Sequence, residues 1–198
     1  MKITLVCVGK LKEKFFVSAL EEYQKRLSRY CKLNIIELAD EKTPDGIGQA
    51  AEDAIKKREG ERILKSLPEE AYIIALAIEG EMYSSTEFAA QIEKHCIEGK
   101  SHILFIIGGS LGLDKEVLKK ADELLSFSKM TFPHQLMRVI LLEQYFELFI
   151  KNLITNKIFM YKLKFILFSV EYRISLLKQL IVNKIYDIIH KYSCNRLQ

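Results

Sequence analysis

Three apolar runs in this chain stop on glycine. Ile3–Val8 ends at Gly9, Tyr72–Ile78 is closed by Gly80, and His102–Ile107 runs into Gly108-Gly109. Runs this short and this continuously apolar belong to strands buried on both faces. Leu33–Leu38 and Leu124–Phe127 supply two more. The intervening segments carry helical spacing. Leu11–Tyr30 places Phe15, Phe16, Ala19, Leu20, Tyr23, Leu27 and Tyr30 among Lys and Glu. Gln49–Leu67 is a charged helix followed by Pro68, after a loop over Asp40–Gly48. Ser84 or Ser85 caps a helix through Cys96, with Glu87 as capping-box partner and Gly99 at its end. Asp114–Ala121 is a short helix, and Pro133 opens one that reaches at least Gln144. Strands alternating with helices give an α/β fold with a parallel sheet covered on both faces. Ligands in such sheets bind beyond the carboxyl ends of strands. The loops after the third, fourth and fifth strands are therefore where a site is expected.

Composition agrees with one globular domain. The chain has 198 residues, 49% hydrophobic and 28% charged, which excludes disorder as its main state. Cys7, Cys31, Cys96 and Cys194 are scattered, with neither a disulfide framework nor CxxC zinc spacing. The first apolar run is six residues long without a cleavage site, so it reads as a strand rather than a signal peptide. A reducing cytoplasm is the expected compartment. Charge is uneven. Residues 145–198 carry nine basic and three acidic side chains, a balance of +6, against a whole-chain charge of +4. All nine Gly and all three Pro precede Tyr145. A domain over 1–144 and an atypical apolar, basic tail over 145–198, helical or disordered, are expected.

Several residues can carry chemistry. Gly108-Gly109-Ser110-Leu111-Gly112 follows a strand, as a loop does where backbone approaches a ligand. It is neither GxGxxG nor a phosphate-binding loop with its lysine, and a tight strand-to-helix turn explains it equally well. Leu125–His134 mixes small polar, aromatic and Met side chains that can hold a flat heterocycle, or simply form core. His134 has the side chain suited to a general base, or to a structural hydrogen bond. Arg138, one turn on, can meet phosphate or carboxylate, or form a salt bridge. His95, His102 and His190 have no ligand spacing, and no metal site is expected. Lys10, Lys12 and Lys14 beside Phe15 and Phe16 form either an RNA-facing edge or a solvated helix face.

Read together and in order, MKIT at the start, VGKLKEKF at 8–15, EGEMYSS at 79–85, FIIGGSLGL at 105–113 and LSFSKMTFPHQLMRVILLEQ at 125–144 carry a resemblance. Over residues 1–144 the chain resembles the bacterial ribosomal large-subunit methyltransferase H family (RlmH), of the SPOUT class. The resemblance implies an α/β fold with a C-terminal trefoil knot, a rare exception to unknotted chains. It implies a homodimer that methylates N3 of a pseudouridine in 23S rRNA of the ribosome with S-adenosylmethionine. The cofactor contacts it implies are Leu76, Gly108, Phe127, Ser128, Lys129, Met130, Thr131 and Phe132. Leu76 and Phe127 would sandwich the adenine, the amides around Met130 would bond its edge, and Gly108 would leave room for the ligand. Gly108→Val is then expected to abolish cofactor binding with the fold intact.

The departure comes after Gln144. The family's closing E-x-Y-H-K, which supplies a Tyr and a His near the methyl donor, occurs nowhere in residues 145–198. That leaves His134 and Arg138 as catalytic candidates, and an inactive cofactor-binding remnant as the rival reading. Read one nucleotide earlier from Gln144, degenerate codons permit Ile-Phe-Arg-Ala-Phe-Tyr-Lys-Glu-Pro-Tyr-His-Lys and a stop inside Asn156. The tail is accordingly expected to be a frameshift product. Taken at face value it would form membrane-surface or RNA-binding helices. Lys162 and Lys164 interrupt its one candidate span, Ile158–Val170, so no membrane partner is expected.

Overall fold

β1 (Lys2–Val8) lies between two parallel neighbours, β2 (Lys32–Leu38) and β4 (His102–Ile107). β3 (Tyr72–Met82) continues the sheet beside β4, and β5 (Glu123–Ser126) pairs with β3. The strand order is β2-β1-β4-β3-β5, every pairing parallel, in a computed structural model that describes residues 1–44 and 46–150. The central strands β1 and β4 are mostly apolar because both faces are covered. From Ile3 to Val8 no residue is more than 2% exposed.

Alternation along the strands sorts side chains between two cores. Ile3, Leu5, Cys7, Ile103, Phe105 and Ile107 face α1 (Lys14–Leu27), α3 (Ser85–Ile97) and the helix over 134–150, here α5. Val6, Val8, Leu104 and Ile106 face α2 (Gln49–Ser66) and α4 (Lys115–Lys120). α2 and α4 approach closely at Gly60, where a Cβ would lie 2.7 Å from the Asp114 Cβ. Ser84 is the N-cap of α3. Its side chain accepts from Glu87 N–H while the Glu87 carboxylate accepts from Ser84 N–H at 2.8 Å.

Two boundaries differ from the sequence reading. α1 begins at Lys14, three residues later than its apolar spacing suggested, because Gly9 N–H donates to Leu38 O and Leu11 N–H to Glu37, both on β2, instead of entering the helix. β3 is not closed by Gly80 but runs through it to Met82. Leu76 and Glu81 both pair with Leu125, and the Gly80 backbone rests on that of Leu124 and Leu125. A Cβ at Gly80 would lie 2.6 Å from both carbonyl carbons, so this glycine serves backbone contact, not termination.

The change in composition at 144/145 falls inside α5. Tyr145 and Leu148 are 0% and 4% exposed and join the core beside Phe88 and Phe105. Met1–Ile150 forms one unit. The expectations for residues 151–198, including Ile158–Val170 and His190, lie outside the described residues. Among the described residues no helix is long and apolar enough to cross a membrane, and no cluster of His, Cys, Asp and Glu could hold a metal.

Candidate functional site

Parallel strands bring their carboxyl ends to one edge of the sheet. Beyond β4, β3 and β5, which are adjacent there, lies a cavity of about 610 Å³, within the range of small-molecule sites. β3 contributes Leu76, Ala77 and Ile78; the turn after β4 contributes Ile107 to Gly112. Leu125 to Ser128 and Met130 to Pro133 come from the end of β5 and the loop after it, and His134 and Met137 from α5. Seven of the eight cofactor contacts implied by the resemblance line this cavity. Lys129 does not; it is exposed.

The glycine turn is tight for reasons internal to it. Gly112 N–H donates to Gly109 O at 3.2 Å, and Gly112 has φ +86°, where a Cβ is strained. A Cβ on Gly108 would sit 2.9 Å from the Gly112 backbone and 3.0 Å from Leu113. The expectation for Gly108→Val is corrected accordingly. The substitution would break the turn itself, so any loss of binding would come with local unfolding. Behind the turn stands Glu59, buried at 5% exposure on α2. Its Oε1 accepts from Glu41 N–H at 2.9 Å, and its Oε2 would be 2.9 Å from a Cβ on Gly109. Burial pushes this carboxyl above its ordinary pKa.

The loop after β5 is also pre-shaped. Ser126 Oγ donates to Ser128 O at 3.2 Å, and Met130 N–H donates to Ser128 Oγ at 2.9 Å. The Met130 amide is therefore engaged within the loop, which leaves its neighbours' amides as the donors available to a ligand edge. Phe127 reaches both ways, lining the cavity and standing 6.5 Å from the Phe88 ring. Leu76 likewise touches core and cavity.

Among the described residues the walls carry no lysine, arginine, aspartate or glutamate. His134 is the one ionisable lining side chain among the described residues. It is half-buried, and its pKa is lowered first by burial and then by the Arg138 charge, with Asp40 opposing. It therefore stands neutral near pH 7 and can accept a proton. Its Nε2 would be 3.3 Å from a Cβ on Gly9, which places it beside the end of β1.

Arg138 does not reach the cavity. It is 0% exposed, with Nη1 donating to Glu37 Oε1 at 2.7 Å and Nη2 to Val8 O and Gly9 O at 2.9 and 2.8 Å. Of its two sequence readings the salt bridge is the observed one, and it secures the carboxyl end of β1. His95 is likewise internal, its Nε2 3.1 Å from Glu123 Oε2. Sequence reasoning missed Met137, Ile78 and the support from Glu37 and Glu59. Met137 was legible, since it lies one turn after His134 on the same helix face. The two glutamates gave no local signal.

Residues 1–153 match a family model described as a predicted SPOUT methyltransferase. The ribosomal RNA large subunit methyltransferase H of Bifidobacterium adolescentis is 60% identical over 147 residues, 74% of this chain and 92% of the relative. The same-named protein of Clostridium novyi gives the same identity and coverage. That of Bifidobacterium animalis subsp. lactis is 56% identical over 149 residues, 75% of this chain and 94% of the relative.

Proposed function

Because the chain belongs to the SPOUT methyltransferase family, we propose that it is an S-adenosylmethionine-dependent methyltransferase acting on N3 of a pseudouridine in ribosomal 23S rRNA. The observation that carries this reading is the convergence of the turn after β4, the loop after β5 and the Leu76–Ile78 stretch of β3 on one apolar cavity whose one ionisable lining side chain, among the described residues, is His134. The cavity suits the cofactor in size, in its Leu76 and Phe127 walls, and in the absence of a like charge that would repel a sulfonium. When bound, S-adenosylmethionine supplies an activated methyl group. The chain's own task is to position the base and take its N3 proton as the new N–C bond forms. His134 is the group assigned to that proton. The Ser126–Ser128–Met130 hydrogen bonds fix the loop after β5 that shapes the cavity.

A homodimer working in the cytoplasm belongs to the same proposal, as does the knotted chain path. The missing E-x-Y-H-K favours a second reading, cofactor binding with little turnover. Calorimetric titration with S-adenosylmethionine tests the site. Saturable binding by the full chain, weakened about 10-fold or more in Leu76→Ala through lost apolar contact, is expected. Absent binding, or unchanged affinity in the variant, would overturn the assignment.

A further inference from the structure

We propose that the segment Lys10–Phe16 docks single-stranded RNA and presents the target base to the cavity, an inference that rests on the reading above. Lys10, Lys12, Lys14 and Phe15 are all exposed, Phe15 at 64%. The Phe15 and Phe16 ring centroids are 4.1 Å apart. No ion pair among the described residues involves the three lysines. Folding gains nothing from this arrangement. Lysines at the start of α1 oppose its dipole, and an exposed phenylalanine buries little. A backbone of phosphates with unstacked bases satisfies both, through charge pairing and ring stacking.

Location ties the strip to the site. Lys10–Glu13 leaves the carboxyl end of β1, at the same sheet edge as the cavity. Glu37 accepts from Leu11 N–H at 3.1 Å as well as from Arg138, which also holds Val8 O and Gly9 O. Gly9 in turn lies against His134. The strip is thus pinned from below by the half-buried Arg138–Glu37 pair and abuts the proposed proton acceptor. Arg138 becomes a positioning residue for RNA, which explains a fully buried arginine at the end of a strand.

The test uses the full chain, naked 23S rRNA and whole ribosomes over a range of salt. The variants are Lys10→Ala/Lys12→Ala/Lys14→Ala, the matching Lys→Arg triple, and Phe15→Ala. All sit on exposed positions, and thermal melts check folding. The alanine triple should flatten the slope of log affinity against log salt by about 2, from three phosphate contacts at about 0.7 each. The arginine triple should restore it. Phe15→Ala should weaken binding about 5- to 150-fold by loss of one stacked base. S-adenosylmethionine affinity should be unchanged in each. Wild-type slope and affinity in the alanine variants, or no RNA binding by the wild type, would overturn the proposal. So would loss of ribosome binding with naked RNA binding retained, which would put a ribosomal protein on the strip. Methyl transfer by the wild type reports separately on the methyltransferase reading, so the two can fail independently.

Discussion

His134 joins three features that rarely coincide by chance: it lines the cavity, it is half-buried, and it lies against the end of β1. Its lowered pKa has a stability consequence with a definite sign. The folded state holds the imidazole neutral below its unfolded pKa of about 6.5, so between the two values the unfolded chain binds more protons. The stability this group contributes is present above about pH 6.5 and is lost as pH falls through the lower folded value. Melting temperatures of wild type and His134→Gln, followed from pH 8 to pH 5, should show the wild type losing ground to the variant below about pH 6.5. A difference constant across that range would mean that His134 titrates normally. His102, also lowered by burial, is common to both proteins and cancels. Activity should fall on the order of 10² to 10⁴ in the same variant if it takes the N3 proton.

At the scale of elements, α5 carries the sharpest conflict between sequence and packing. Tyr145 directly follows LSFSKMTFPHQLMRVILLEQ, is wholly buried beside Phe88 and Phe105, and its hydroxyl has no hydrogen-bond partner among the described residues. An orphaned buried hydroxyl costs about 1–3 kcal/mol. Tyr145→Phe should therefore stabilise the protein by up to that amount, read as a higher melting temperature. Destabilisation would show that the hydroxyl is satisfied after all. The shifted reading frame places isoleucine there, a residue without that cost. Most elements were legible beforehand because their signals are local: apolar runs for β1 and β4, the Ser84–Glu87 capping box for α3, Pro133 before α5. The continuation of β3 was not, because the reason for Gly80 is the backbone of Leu124 and Leu125, more than forty residues away. The burial of Arg138 was hidden for the same reason. Its partners Val8, Gly9 and Glu37 are about a hundred residues or more distant in the chain. The candidate site was legible in the loops after β4 and β5, since a parallel sheet must gather its carboxyl ends, while β3 lines it from within the strand. The strand order that makes β4, β3 and β5 neighbours came only with the structure.

At the scale of the molecule, the proposed cofactor contacts all precede residue 145, whereas the terminal Tyr and His that the resemblance implies would follow it. Binding should survive the altered end better than turnover does. Arg138 links the two halves of the proposed machinery, fixing the end of β1 that bears the RNA strip while α5 carries His134 into the cavity. The most direct measurement is transfer of labelled methyl from S-adenosylmethionine to whole ribosomes by the full chain, with the product nucleoside identified by mass spectrometry. The label should appear in 23S rRNA as N3-methylpseudouridine, more slowly than with a version whose chain after Gln144 is replaced by Ile-Phe-Arg-Ala-Phe-Tyr-Lys-Glu-Pro-Tyr-His-Lys. Unlabelled 23S rRNA from both versions, or label at any other nucleoside, would contradict the account.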